Sequence, residues 1–343
     1  MRGDPRRSRG RTLVRLAALA ALLGLAAVGY GAWVFWLVPY GSQPFPRQVE
    51  IPLGKSVRDA AFILEQQGLV LNARAFLALA YIHGGLSRVR AGIYRVERPS
   101  SALELLRKLA GGDVELQRVT VPEGWDMARL ADRLGTLGLA DPQSFLKLAR
   151  DSRWASELTG FRVPSLEGFL FPDTYLFPPG VAEAAIQRAM VRRFHQAFDA
   201  QLLSRAWEMG WSVLEVVTLA SLIEKETSTP HERALISAVF HKRLKLGMRL
   251  ESDPSVIYGL EGFNGDLRRQ DLSVPHPYNT YVFPGLPPGP ICSPGQAAIE
   301  AALFPAQMDY LYFVSRNDGT HHFSRTLREH LHAVARYQKR ARP

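Results

Sequence analysis

The sequence predicts an α+β chain: an N-terminal transmembrane helix, small β-α-α modules, and then a mixed α+β domain. Three observations carry that prediction. Leu16 to Val38 is an uncharged run of 23 residues behind a basic N-terminus, long enough as a helix to cross a bilayer core of about 30 Å. The stretches IPLGKSVRDAAFILEQQGL (51–69) and VPEGWDMARLADRLGTLGL (121–139) align at an offset of 70 without a gap. Each reads as a short strand, a Pro-x-Gly turn, an amphipathic helix and a Gly-Leu stop. Further on, VLEVVTLASLIEKET (213–227) is too long and too continuously apolar for a strand, and a helix that is apolar nearly all round is a buried one.

Taken in order, residues 1–15 form a basic tail with six Arg against one Asp, 16–38 the membrane helix, and 39–48 a Pro-rich linker. Residues 49–152 hold the repeat module and 153–343 the second domain. The positive-inside rule places residues 1–15 in the cytoplasm and the chain from about residue 39 outside it. A cleavable signal peptide fits less well, because Trp33, Phe35 and Trp36 stand where small cleavage-site residues are needed. Each repeat copy continues into a second helix carrying an aromatic residue, Phe76 or Phe145. Between the copies, GIYRVERPSSALELLRKLAGG (92–112) supplies a strand, a Ser-Ser cap and a helix closed by Gly-Gly. Such modules suit either carbohydrate binding or a spacer that sets the height of the following domain above the membrane. The repeat shows core spacing but no aromatic platform, and both readings stand.

In the second domain, SLEGFLFPDTYLFPPG (165–180) reads as an apolar loop or short strands, with Glu167 as its one buried-looking acid. An amphipathic helix is expected over roughly 181–209, then the apolar helix, then another over 231–248. ESDPSVIYGL (251–260) reads as a turn followed by a short element. The segment 274–295 has seven prolines and cannot be regular structure; its His276, Tyr278, Asn279 and Tyr281 could contact a sugar. A hairpin across Asn-Asp-Gly and a helix from about 325 end the pattern.

The net charge of +10 is concentrated at the two ends, since Arg336 to Arg342 adds three Arg and one Lys to the N-terminal block. The body is close to neutral and lacks the basic stripe of a nucleic-acid binder. The single cysteine, Cys292, excludes an intrachain disulfide framework and a Cys-based zinc cluster. It also lacks the helix N-terminus or paired base that would activate a thiolate. His321, His322, His330 and His332 do not form a metal motif: neighbouring strand residues face opposite ways and no HExxH occurs. No metal or other cofactor is expected.

The chemistry is expected at the end of the apolar helix. Glu226 continues a stripe through Ile223 and Leu219, so its carboxyl leaves a dry interior poorly solvated. Desolvation and the negative end of the helix both raise its pKa, which suits a general acid. The alternative is a pair of surface glutamates at a frayed helix end.

Five blocks in order, SLEGFLFPDTY, LASLIEKET, RLKLGMRLESDPSVIYG, YNTYVFPGLPPGPI and YLYFVSRNDGTHHFSRTLREH, together resemble the endolytic murein transglycosylases. The resemblance covers about residues 50 to 335. It implies a single-pass protein of the bacterial cytoplasmic membrane that cuts nascent peptidoglycan glycan strands and associates with peptidoglycan synthases. It also implies a LysM-like module within 49–152 and a catalytic domain over 153–343. The second glutamate of the E-K-E-T block, Glu226, is the implied catalytic acid.

Glu224 and Glu226 lie two apart on a helix, so they point to different sides and cannot flank one bond as the paired carboxylates of most glycosidases do. One carboxyl suffices where the sugar's own 6-hydroxyl attacks. Glu224 is expected to order the helix end, with Glu167, Asp253, Tyr278, Asn279 and Tyr281 as sugar contacts or supports. A membrane-anchored, non-catalytic glycan-binding scaffold and a peptidoglycan hydrolase are the competing functions.

Overall fold

The computed structural model describes residues 5–42, 44–52, 54–84, 89–260, 262–263 and 265–338, with side chains from residue 15 onward. Residues 1–4 of the expected basic tail and 339–343 of the basic C-terminus lie outside the described residues. The chain is mixed α+β and divides into two units. One runs up to Gln117 and takes in Pro178–Gly180; the other runs from Arg118 to Phe177 and from Val181 onward.

The first unit begins with α1 (Pro5–Trp36), of which Arg15–Trp36 is long and apolar enough to cross a membrane and is not buried in the protein. It then pairs β1 (Arg47–Ile51) with β2 (Gly92–Val96), antiparallel, with Val49 opposite Tyr94. Between the strands run α2 (Val57–Gln66) and α3 (Ala73–Ile82), and α4 (Ala102–Gly111) follows β2. Ser56 with Asp59 and Ser101 with Glu104 form capping boxes, satisfying amide groups that a helix start leaves open. The alternating Val49 and Ile51 of β1 meet Leu64, Phe76, Leu79 and Tyr94 in one buried cluster. The Trp36 indole donates to the Ala75 carbonyl at 2.9 Å, tying the end of α1 to α3.

The second unit contains β3 (Gln117–Thr120) paired with β4 (Thr174–Phe177), then a helical body. Its helices are α5 (Met127–Thr136), α6 (Pro142–Ala149), α7 (Ser152–Thr159), α8 (Glu183–Ala197), α9 (Ala200–Glu208), α10 (Val213–Glu226), α11 (Arg233–Lys245), α12 (Asp253–Gly259) and α13 (Gln296–Leu303). The hairpin β5 (Tyr312–Ser315) and β6 (His321–Ser324) precedes α14 (Leu327–Tyr337).

The stretch 49–152, drawn as one module from the sequence, is therefore divided in the structure. The first repeat copy closes its apolar face against β2 and α4. The second sends Val121, Leu130, Leu134 and Phe145 into the core of the other unit, where Gln187 of α8 donates to the Phe145 carbonyl at 2.9 Å. A similar apolar stripe does not say which partner will cover it. The single helix expected over 181–209 is also two. Asp199 accepts from the amides of Gln201 and Leu202 at 2.9 and 3.0 Å and so starts α9 as an N-cap.

The axis of the second unit is α10. Val216, Val217, Leu219, Ala220, Leu222 and Ile223 have no exposed surface. Its two buried hydroxyls are satisfied: Thr218 donates to Leu214 O and Ser221 to Thr218 O, each at 2.7 Å, while Ser221 accepts from the Ile291 amide at 3.0 Å. Gly168 lies against this helix with φ +82; an added Cβ would come within 2.6 Å of Pro290 and 2.8 Å of Val217. Gly168→Ala is expected to destabilise the protein by about 2 kcal/mol or more, from the left-handed backbone and the overlap together. Urea unfolding of the variant checks this.

Candidate active site at the end of the buried helix

Ser212 starts α10 with a capping box to Glu215, and Glu226 is its last residue. The helix emerges there, and the carboxyl is partly covered. Its Oε1 accepts a hydrogen bond from Ser252 Oγ at 2.5 Å. Ser252 is itself buried and held, its amide donating to Thr280 Oγ1 at 2.9 Å, while Thr280 and Ser255 share a hydrogen bond of 2.8 Å. Burial raises Glu226 to about 7, against an ordinary value of 4.5. The Ser252 bond and the Arg243 guanidinium pull it down, and the charge of Asp253 pushes it up.

Asp253 begins α12 and accepts from the Tyr281 hydroxyl at 2.6 Å. The turn before it is strained: Glu251 has φ +52, and its carboxylate meets Arg243 at 3.2 Å. Arg243 is buried and also donates to the carbonyls of Leu250 and Leu311, at 2.9 and 2.8 Å. The segment that carries Ser252 and Asp253 is thus fixed from both sides.

Glu224 points elsewhere. Its Oε2 accepts from the Gly295 amide at 3.1 Å, at the start of α13, and its Oε1 lies 3.6 Å from Arg233 Nη2. Burial raises this carboxyl too, while Gly295 and Arg233 oppose the rise. Glu226, Glu224, Trp125, Arg129, Lys225 and Arg233 line one open cavity of about 580 Å³.

The other residues singled out from the sequence fall into two groups. Asp253 and Tyr281 stand beside Glu226. Glu167 is buried, accepts from the Met127 amide at 3.1 and 3.2 Å and from the Tyr258 hydroxyl at 3.1 Å, and so anchors α5 to α12. Burial outweighs those donors and lifts it to about 8. Tyr278 packs its ring on Tyr258 at 4.9 Å. Asn279 is buried inside its own loop, donating to Leu272 and Val274 carbonyls at 3.1 and 2.8 Å and accepting from the Tyr281 amide at 2.9 Å. Cys292 is buried, and burial pushes its thiol well up. His321 bonds Glu232 at 2.7 Å, and Glu232 in turn accepts from Thr227, the residue after Glu226, at 3.3 Å.

A family model described as the YceG-like family matches residues 49–336. The chain belongs to the YceG-like family. That agrees with the resemblance carried by the five sequence blocks. Among curated relatives it is 31% identical to an "Endolytic murein transglycosylase" of Bacillus subtilis, with 84% of each chain covered. A protein of that name from Streptococcus pneumoniae is 29% identical over 84% of this chain, which spans 58% of that relative's length. The crystal structure of a yceG-like protein from Listeria monocytogenes superposes with a TM-score of 0.59 at 31% identity, covering 83% of this chain and 98% of the other.

Sequence reasoning did not single out four residues that stand at this site in the YceG-like chain. Ser252 and Thr280 sit inside quoted blocks, but nothing in their spacing says that one will reach Glu226 across 26 residues. Arg243 opens the RLKLGMRLESDPSVIYG block, with nothing local to mark it as the anchor of the Glu251 turn. Trp125 read as a repeat residue, although the same tripeptide turn that shapes the repeat brings it to the cavity wall.

Carbon NMR titration of the Glu226 carboxyl should give a midpoint near 7. Asp253→Asn should lower it and Ser252→Ala should raise it. The folded value lies above the ordinary one, so the stability contributed by the protonated carboxyl is lost as pH rises through about 7. Glu226→Gln should therefore raise Tm at pH 8 and leave it unchanged at pH 4.

Proposed function

We propose that this protein is an endolytic murein transglycosylase whose one acid–base group is Glu226. The observation that carries the reading is a partly covered carboxyl, poised near 7, on the wall of an open cavity. The names of its relatives support the substrate, the glycan strand of peptidoglycan.

The neutral Glu226 carboxyl donates its proton to the glycosidic oxygen as that bond breaks, and positive charge develops at the sugar's anomeric carbon. The carboxylate left behind then takes the proton of the same sugar's 6-hydroxyl, whose oxygen closes onto the anomeric carbon. The product carries a 1,6-anhydro-muramyl end, and Glu226 regains its proton. An intramolecular hydroxyl has an effective molarity of about 10⁵ M or more when well oriented, so no positioned water is needed. Ser252 aims the carboxyl. Asp253, held by Tyr281, favours the protonated form of Glu226 and stabilises the cationic centre. Glu224, engaged by Gly295 and Arg233, orders the helix end.

We also assign α1 as a single membrane crossing with its N-terminus in the cytoplasm and the catalytic unit outside the cytoplasmic membrane, where peptidoglycan synthases would be partners. The β1-α2-α3-β2 arrangement supports a LysM-like, glycan-binding role for the first unit.

Glu226→Gln should reduce fragment release from purified peptidoglycan by about 10²- to 10⁴-fold with the fold intact. Mass spectrometry of wild-type fragments should show anhydro ends; reducing ends would mean a hydrolase and no fragments a scaffold. The kcat/KM of the wild type should fall above about pH 7, as Glu226 loses its proton.

A further inference from the structure

We infer that Trp125, Arg129 and Lys225 form a subsite beside Glu226 that takes a carboxylate-bearing peptide substituent of the glycan. This rests on the proposed function and names the form of the substrate it prefers. All three residues line the cavity that Glu226 lines. Arg129 and Lys225 are exposed, and among the described residues neither the guanidinium nor the ammonium group forms an ion pair; the Asp126 carboxylate is engaged by the Arg129 backbone amide at 2.7 Å, and Arg233 on the same wall faces Glu224. A neutral sugar offers no counter-charge to two such cations; a peptide carboxylate does, through charge-assisted hydrogen bonds.

The wall is built rather than fluid. The turn at Gly124 has φ +76, and its backbone is stitched to the 274–295 segment: Gly124 N donates to Ser293 O at 2.9 Å, and Ser293 N donates to Trp125 O at 2.7 Å. The Arg129 guanidinium lies 5.3 Å from the centre of the Trp125 ring, which holds it in place while leaving its N–H groups free to bond. Lys225 Nζ reaches Gly124 O only at 3.4 Å, so its three donors are barely used. Glu123 lines the same cavity, but its carboxylate lies over Gly295 at the amino end of α13, where the helix dipole offsets its charge. The charges that move Glu226 are those of Asp253 and Arg243, so these cations can hold an anion without stripping the acid of its proton.

The test uses the full-length protein in detergent with three polymers: strands bearing peptides with free carboxylates, the same strands after carbodiimide amidation, and strands stripped of peptide. Wild type should favour the first by about tenfold or more in kcat/KM, mostly through KM. In the Arg129→Gln, Lys225→Gln double variant that preference should fall about tenfold, and Arg129→Lys should keep much of it. Equal loss on all three polymers, or an unchanged preference, overturns the subsite. Dissociation constants for the same polymers, measured with Glu226→Gln, keep the questions apart: if wild type cleaves none of them the proposed function falls, and the Kd preference still decides the subsite.

Discussion

The site depends on one constraint: a helix buried on all sides must end where its backbone can again meet polar partners. The terminal carbonyls of α10 and the side chains of its last turn leave the interior together, so whatever stands there is half-solvated by position. A lysine in that place reaches water easily, and Lys225 does. A glutamate is shorter and stays near the apolar surface that Ile223 and Leu219 extend. The cost of charging Glu226 is thus set by the packing of the whole helix, and the same packing that stabilises the unit holds the proton on the acid.

Two glutamates two residues apart then meet different surroundings. Glu224 turns toward the amino end of α13 and Arg233, both of which favour its charged form. Glu226 turns toward Ser252 and Asp253, which act in opposite senses. Burial lifts the acid to about 7, and a hydroxyl that donates to the carboxylate and a neighbouring carboxylate that repels it adjust that value in opposite directions. Such a balance needs both groups to be held, and they are: Thr280 grips Ser252, Tyr281 grips Asp253, and Arg243 locks the strained turn at Glu251.

The proline-rich segment is the common tie. Asn279 spends its whole amide on its own loop, which orients Thr280 and Tyr281; further along, Ile291 and Ser293 bond to α10 and to the Trp125 turn. Proline lowers the entropy that an irregular segment loses on folding, so a loop with few ladder hydrogen bonds can still be rigid. Its residues mainly hold others in place.

The elements themselves were legible in the sequence because local rules decide them. The apolar run of α1, the Ser-Ser cap of α4, the hairpin turn and the all-round apolar α10 each follow from residues within a few positions of one another. The partial burial of Glu226 followed as well, since burial along a helix stripe is a local pattern. What the tertiary structure alone decided is which surfaces meet. The second repeat copy left its apparent twin for the other unit, Asp199 cut one expected helix into two, and Glu167 and Asn279 turned inward to hold backbone. The partners of Glu226 came from segments far along the chain. Hydrogen bonds and charges act over a few ångströms of space regardless of sequence distance, so the helix could be read from its own residues, but the proton affinity of its last side chain required the fold.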